Sequence, residues 1–241
     1  MPVICLTKSY AMIVDQLNKI QLINADCMDV LRELPDNAFD LAIVDPPYSN
    51  AGGEVEQTGG SWAKKYGNNI KRWDIAPTAE YFEQLMRVSR NQIIWGGNYF
   101  QLPPTRCFVI WKKLTISESF TMSMCEYAWT SFDANAKVFE CMPQGKPGEK
   151  RIHPCQKPVE LYTWLLKRYA KAGDKILDTH LGSGSICLAA DAMGFELTGI
   201  ELDPEYYNAA KERLMKQQSE PQLFAAEDLV GNAWDGRGYL F

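Results

Sequence analysis

Histidine is scarce in this 241-residue chain, at two residues, His153 and His180, and the seven cysteines at 5, 27, 107, 125, 141, 155 and 187 include no Cys-x-x-Cys pair. His153 with Cys155 is too small a set to hold zinc, so no metal is expected. An odd, scattered cysteine count reads as reduced thiols, which implies a cytoplasmic protein. There is no apolar run long enough to span a bilayer, and no charged leader followed by an apolar core, so no membrane role is expected. Repeats, low-complexity tracts and a linker between domains are also lacking. What is left is one α/β domain, 1–241, with a hydrophobic fraction of 46% that is ordinary for such folds.

Chemistry first shows at Asp45-Pro46-Pro47-Tyr48, directly behind the apolar run 39–44. The run reads as a buried strand, and the tetrapeptide as a carboxylate and a ring projecting from its end. Two prolines fix φ and remove two backbone donors, which leaves carbonyls open to accept from a bound molecule. A planar heterocycle with an exocyclic amine fits. Its nitrogen is a poor nucleophile until the lone pair is freed from the ring; Asp45 and the Pro46 carbonyl can take its two hydrogens while Tyr48 stacks on the ring. A proline-rich turn whose Asp caps a neighbour is the plainer alternative.

A second segment runs strand, glycine turn, helix: Lys175 to Asp178, then Thr179-His180-Leu181-Gly182-Ser183-Gly184-Ser185, then the apolar stretch from Ile186 to Met193. Glycines there admit close backbone approach to a ligand, and a helix N-terminus favours negative charge. Roughly twenty residues on, a further strand ends in Glu201 followed by Leu202, the spacing of an acid that holds ribose hydroxyls. No Gly-x-Gly-x-x-Gly is present, only Gly182-x-Gly184 with Ala189 beyond. An adenosine-containing ligand other than a nicotinamide dinucleotide is therefore expected. Glu201 as a solvated strand end, and Asp203 as simple N-cap of a helix starting at Pro204, stay open.

These residues resemble the amino-group DNA methyltransferases that carry a DPPY tetrapeptide and use S-adenosylmethionine. Asn24-Ala25-Asp26-Cys27 with Leu34-Pro35-Asp36-Asn37 is similar to the family's segment ahead of DPPY, in which the acid, here Asp26, approaches the cofactor's adenine. His153-Pro154-Cys155-Gln156-Lys157-Pro158 resembles the HPTQKP segment that borders the methionine end, implying a cofactor role for Lys157. By the same resemblance Asp178, His180, Gly182, Ser183, Gly184, Glu201 and Leu202 line the cofactor site together with Asp26 and Cys27. His180 is either a packing residue beside the methionine moiety or a catalytic one. The catalytic segment precedes the cofactor loop, as in the family's β arrangement. That implies a permuted, Rossmann-like methyltransferase fold, α/β with a mostly parallel seven-stranded sheet in which the strands before Asp45 and ending at Asp178 lie side by side. Departures are Thr179, His180 and Ser185 where Pro, Phe and Thr are usual, and Cys155 for Thr.

The resemblance implies transfer of a methyl group to adenine N6 of a flipped-out DNA base, DPPY being usual for adenine and SPPY for cytosine. Alternatives are cytosine N4 in DNA, an RNA or protein-amide acceptor, and a DNA-binding relative without activity. A net charge of −5 argues mildly against nucleic acid, but Lys64, Lys65, Lys71 and Arg72 interleave with aromatics, and Lys150 and Arg151 form a second basic stretch. They are the candidate DNA contacts, on loops of about 49–75 and 133–157. Thr78 is placed to cap a helix whose apolar positions are Tyr81/Phe82, Leu85/Met86 and Val88, and strands are expected at 92–95, 107–111 and 126–132. No large recognition domain fits in what remains, so a short or relaxed target sequence is expected. The tail after Gln218 either packs on the sheet or mediates contact with a second copy of the chain, and a companion restriction endonuclease is a further expected partner.

Overall fold

The computed structural model describes residues 12–47, 76–120, 123–145, 151–153 and 155–220. Among the described residues nine strands form one sheet: β1 (Ile13–Leu17), β2 (Ile20–Asn24), β3 (Phe39–Val44), β4 (Ser89–Trp95), β5 (Phe108–Lys113), β6 (Cys125–Thr130), β7 (Lys137–Cys141), β8 (Lys175–Asp178) and β9 (Glu196–Glu201). Their spatial order is β1-β2-β9-β8-β3-β4-β6-β5-β7. From β2 through β9, β8 and β3 to β4 every pairing is parallel. β1 and β6 run against their neighbours, and β7 returns to parallel beside β5.

The helices are α1 (Cys27–Glu33), α2 (Ala79–Val88), α3 (Val159–Tyr169), α4 (Ser185–Ala192) and α5 (Pro204–Ser219). Both faces of the sheet are covered, which is why β3 reads as a continuous apolar run rather than an alternating one. Leu41 and Ile43 pack into one core with α3, α4 and α5, while Ala42 and Val44 pack into the other with α1 and α2. Each fully buried aliphatic chain of this kind contributes about 1.5–3 kcal/mol.

Two crossovers leave the centre of the sheet in opposite directions. β3 passes through α2, on one face, to β4; β8 passes through α4, on the other face, to β9. The carboxyl ends of β3 and β8 therefore border the crevice at which α/β sheets bind ligands. This adjacency is the permuted arrangement expected above, and Leu41 pairs with Ile176 and Ala42 with Leu177 across it.

The strand count differs from seven. β1 and β7 are additions at the two edges, and β7 lies inside the 133–157 stretch read as loop. An edge strand with one wet face carries little apolar signal: Val138 is exposed, and Glu140 pairs with Lys112 of β5 at 2.8 Å. Thr78 occupies the N-cap of α2 without a side-chain hydrogen bond. Asp203 does cap α5, accepting from the amides of Glu205 (2.8 Å) and Tyr206 (3.2 Å), with Pro204 in the first turn. No described helix is long and apolar enough to cross a membrane.

Candidate active site

β3 carries Asp45, Pro46 and Pro47 one to three residues beyond its last pairing with β4, Val44 to Ile94. Beside it β8 ends at Asp178, which stands opposite Gly199 of β9, and β9 ends at Glu201. Three carboxylates thus stand on one edge of three neighbouring strands. Their ionisation is costly there. Asp178 is pushed up to about 8, by burial first and then by Asp45 and Glu201. Burial likewise lifts Glu201 to about 6, against amide hydrogen bonds that favour its charge.

Asp45 is the start of an ion chain. Lys157 Nζ donates to its Oδ2, and the same ammonium lies 3.1 Å from Glu126 Oε2 and 5.1 Å from the centre of the Trp95 ring. Glu126 Oε1 in turn meets Lys113 Nζ at 2.7 Å. The order is carboxylate, ammonium, carboxylate, ammonium, drawn from β3, the segment before α3, β6 and β5. Burial alone would raise Glu126; the two lysines override it and hold the group at about 2. For Asp45 burial prevails and the shift is upward, with Lys157 opposing and Glu126 reinforcing it. The other oxygen, Asp45 Oδ1, is buried and has no hydrogen-bond partner among the described residues. Such an atom is an acceptor without a donor.

The glycine loop is braced on all sides. Glu201 Oε2 accepts from the Gly182 amide at 2.7 Å and Oε1 from Asp203 at 2.9 Å, so this carboxylate joins the loop after β8 to the loop after β9. Carboxylate oxygens have further lone pairs for a ligand hydroxyl. Gly184 has φ of 68°, and a Cβ there would stand 2.9 Å from Ala210 Cβ on α5, so both the backbone and the helix packing demand glycine. The ring of His153 lies over Gly182, edge-on to Tyr206 at 4.3 Å, and Arg213 Nη1 donates to the Ser183 carbonyl and to Ser185 Oγ, each at 3.0 Å. His180 is neutral at physiological pH, burial having lowered it to about 4; its Nδ1 shares a hydrogen bond with Thr179 Oγ1 (2.9 Å), which reaches the Tyr81 hydroxyl of α2 at 2.6 Å.

Asp26 caps α1, accepting from the Met28 amide at 2.8 Å. It reaches the same edge because Asn24 Nδ2 and the Ala25 amide both donate to the Glu201 carbonyl, at 2.7 and 3.1 Å. Cys27 beside it is an unreactive thiol, pushed up to about 12 by burial and then by Asp26. Leu202 presents an apolar side chain, 53% exposed, at the end of β9. Asp26, Cys27, Gly182, Glu201 and Leu202 therefore gather at the ends of β2, β8 and β9, while Asp45 and Lys157 stand on the β3 side. Lys157, expected at the cofactor, is engaged with Asp45 and Glu126.

Tyr48, Lys64, Lys65, Lys71, Arg72 and Lys150 lie outside the described residues. Arg151 is half-buried and donates through Nη2 to the Gln156 carbonyl at 3.1 Å, bracing the segment that carries Lys157. Sequence reasoning missed Glu126 and Lys113. Their signal was charge inside aromatic strands, Cys125-Glu126-Tyr127 and Trp111-Lys112-Lys113.

Residues 110–212 match the sequence model of the N6/N4 family described as DNA methylase. YubD of Escherichia coli (strain K12), a methylase by name, is 27% identical over 226 residues, covering 86% of this chain and 96% of its own. The type II methyltransferase M.HinfI of Haemophilus influenzae is 24% identical over 265 residues, covering 86% of this chain and 71% of its own. Among solved structures, the M1.HpyAVI–SAM complex superposes with a TM-score of 0.53 at 19% identity, over 81% of this chain and 98% of that one. The cytosine-N4-specific PvuII DNA methyltransferase gives 0.56 at 12% identity, over 88% and 90%. These likenesses establish a shared fold.

Proposed function

We propose that the chain, whose residues 110–212 match the N6/N4 DNA methylase model, is a methylase of that family, and that it transfers a methyl group from S-adenosylmethionine to the N6 amine of adenine in DNA, with the target base turned out of the duplex. The observation that carries this reading is Asp45 Oδ1, a buried acceptor without a donor, at the end of the strand beside the glycine loop.

The residues present suit S-adenosylmethionine. Glu201 has lone pairs for ribose hydroxyls, Leu202 offers an apolar surface to a purine, and Asp178 with Glu201 supplies carboxylates whose raised affinity for protons marks a place suited to a cation. When bound, the cofactor supplies a methyl group made electrophilic by a sulfonium. Asp26, Cys27, His180, Ser183 and Gly184 complete its surroundings.

On the acceptor side, Asp45 Oδ1 takes one hydrogen of the target amine and the Pro46 carbonyl the other, which turns the nitrogen lone pair away from the ring and toward the methyl carbon. Tyr48 stacks on the base. As the nitrogen takes the methyl group, the N–C bond forming while the carbon–sulfur bond breaks and its electron pair stays on sulfur, it becomes cationic and must lose a proton; Asp45, its proton affinity raised by burial, is placed to receive it. Holding both partners at one sheet edge supplies much of the rate. Lys64, Lys65, Lys71, Arg72, Lys150 and Arg151 are the proposed phosphate contacts, and the proposed target sequence is short or relaxed.

Adenine is favoured by Asp at position 45. Cytosine N4 is the neighbouring reading, because the family covers both bases and the fold overlays a cytosine-N4-specific enzyme. The test is to incubate the protein with S-adenosylmethionine and unmethylated DNA, digest to nucleosides and identify the product by mass spectrometry. N6-methyladenine supports the reading, N4-methylcytosine changes the base, and methylation of RNA or protein alone overturns the DNA assignment.

A further inference from the structure

Glu126 sits on β6, and no step described so far uses it. It is 21% exposed at the side chain, holds two ammonium groups, and reaches Asp45 only through Lys157. Burying an ion quartet in place of apolar side chains gives little stability, so a stability role explains it poorly. Its geometry explains more. Lys157 leaves an Asp45 carboxylate with one oxygen engaged and the other, though buried, without a hydrogen-bond partner among the described residues. An unrestrained lysine could sit between both oxygens and cover the acceptor; anchored at 3.1 Å by Glu126 and seated over the Trp95 ring, Lys157 approaches from one side.

We propose that Glu126 is a positioning residue for methyl transfer: by holding Lys157 on Oδ2 of Asp45, it keeps Oδ1 open for the target amine. Lys113 holds the far oxygen of Glu126 and so sets where that carboxylate points. The inference rests on the methyl-transfer reading above. It carries an electrostatic corollary, since Glu126 also offsets the charge of Lys157 beside the base. The groups bearing on Asp45 are Lys157, Glu126 from β6, Lys113 from β5, Asp178 from β8, Tyr81 from α2 and Tyr162 from α3. Removing the negative group at 126 makes Asp45 easier to ionise, and removing the positive group at 113 makes it harder.

The experiment is single-turnover methylation of DNA at saturating S-adenosylmethionine across pH 5–9, for the wild type, Glu126→Gln and Lys113→Met, with cofactor affinity measured alongside. For Glu126→Gln the plateau rate falls about tenfold or more while cofactor affinity stays within about threefold, as for displacement of a reacting group. The acid limb moves down by about half a pH unit in Glu126→Gln and up by a similar amount in Lys113→Met. A general loss of packing does not move the two limbs in opposite directions. Unshifted limbs, or limbs moving the same way, overturn the inference, as does a Glu126→Gln plateau within threefold of wild type. If Glu126→Gln does not fold, Lys113→Met decides alone: an upward limb supports the inference and an unmoved one overturns it. A wild type that methylates no DNA base overturns the methyl-transfer reading itself, and this inference with it.

Discussion

Lys157 and Asp45, 112 residues apart in the chain, meet as donor and acceptor at the end of β3. The contact binds the segment before α3 to the strand that carries the proposed acceptor site, and it leaves Asp45 with one oxygen occupied and one buried without a partner among the described residues. The asymmetry ties the reaction to an ion network as well as to a tetrapeptide.

Replacing Lys157 with Met removes the shared cation and leaves two buried carboxylates facing each other. Loss of one partner from a buried pair costs about 3–5 kcal/mol. Lys157→Met is expected to lose stability on that scale in denaturant unfolding at pH 7.5, and part of the loss returns on acidification as Asp45 takes up a proton. A loss below 1 kcal/mol would mean that the network is not formed in solution.

Cofactor affinity is expected to rise with pH. Asp178 and Glu201 are raised to about 8 and about 6, so each is largely neutral at the acid end of the range and ionised at the other. A cationic ligand binds the ionised forms better and releases protons as it does so. Titration calorimetry from pH 5.5 to 8.5 should show tightening across the range, flattened in Asp178→Asn. Affinity that is constant with pH contradicts the assignment of these carboxylates to the cofactor site.

The protein without ligand is expected to lose stability above about pH 6.5. For the raised groups Asp178 and Glu201, stability is present below their unfolded values of about 4 and is lost as pH rises from there through about 8 and about 6 respectively. For His153 and His180, lowered to about 4 by burial, the sign reverses: stability is present above about 6.5 and is lost as pH falls toward 4. Melting temperatures measured from pH 4.5 to 9 should change little up to about pH 6.5, where the two sets oppose each other, and fall above it, with the alkaline fall reduced by S-adenosylmethionine. A rise between pH 6 and 9 contradicts the burial of these carboxylates.

Gly184→Ala forces a side chain into a φ of 68° and against Ala210 at 2.9 Å. The expected cost is about 1–3 kcal/mol, with cofactor affinity lowered because α4 and the glycine loop must move off α5. Chemical denaturation and cofactor titration together check it, and an unchanged stability would remove the packing argument.

The sequence carried its information in local motifs. Asp45-Pro46-Pro47, the turn around Gly182 and Gly184, and the acid at Glu201 could be placed because each is a short pattern on a strand end, and β3 and β8 lie side by side as the family resemblance implied. The edges were illegible: β7 has Lys137 and Glu140 within five residues and exposes Val138, so it has the composition of a loop. Partners were illegible for another reason. Nothing local says that Lys157 meets Asp45, that Glu126 and Lys113 lie behind them, or that both oxygens of Glu201 hold loop amides, because those contacts arise only when β3, β5, β6 and β9 come to one sheet edge.

The most direct measurement is transfer of a labelled methyl group from S-adenosylmethionine to DNA by the wild type and by Asp45→Asn, in parallel with cofactor binding. Asn keeps the shape of the residue and removes the charge that accepts the amine hydrogen. Binding within about threefold of wild type, with transfer reduced at least about 100-fold, is the expected result. An Asp45→Asn protein that methylates DNA at a rate close to wild type would contradict the assignment of the active site to the end of β3.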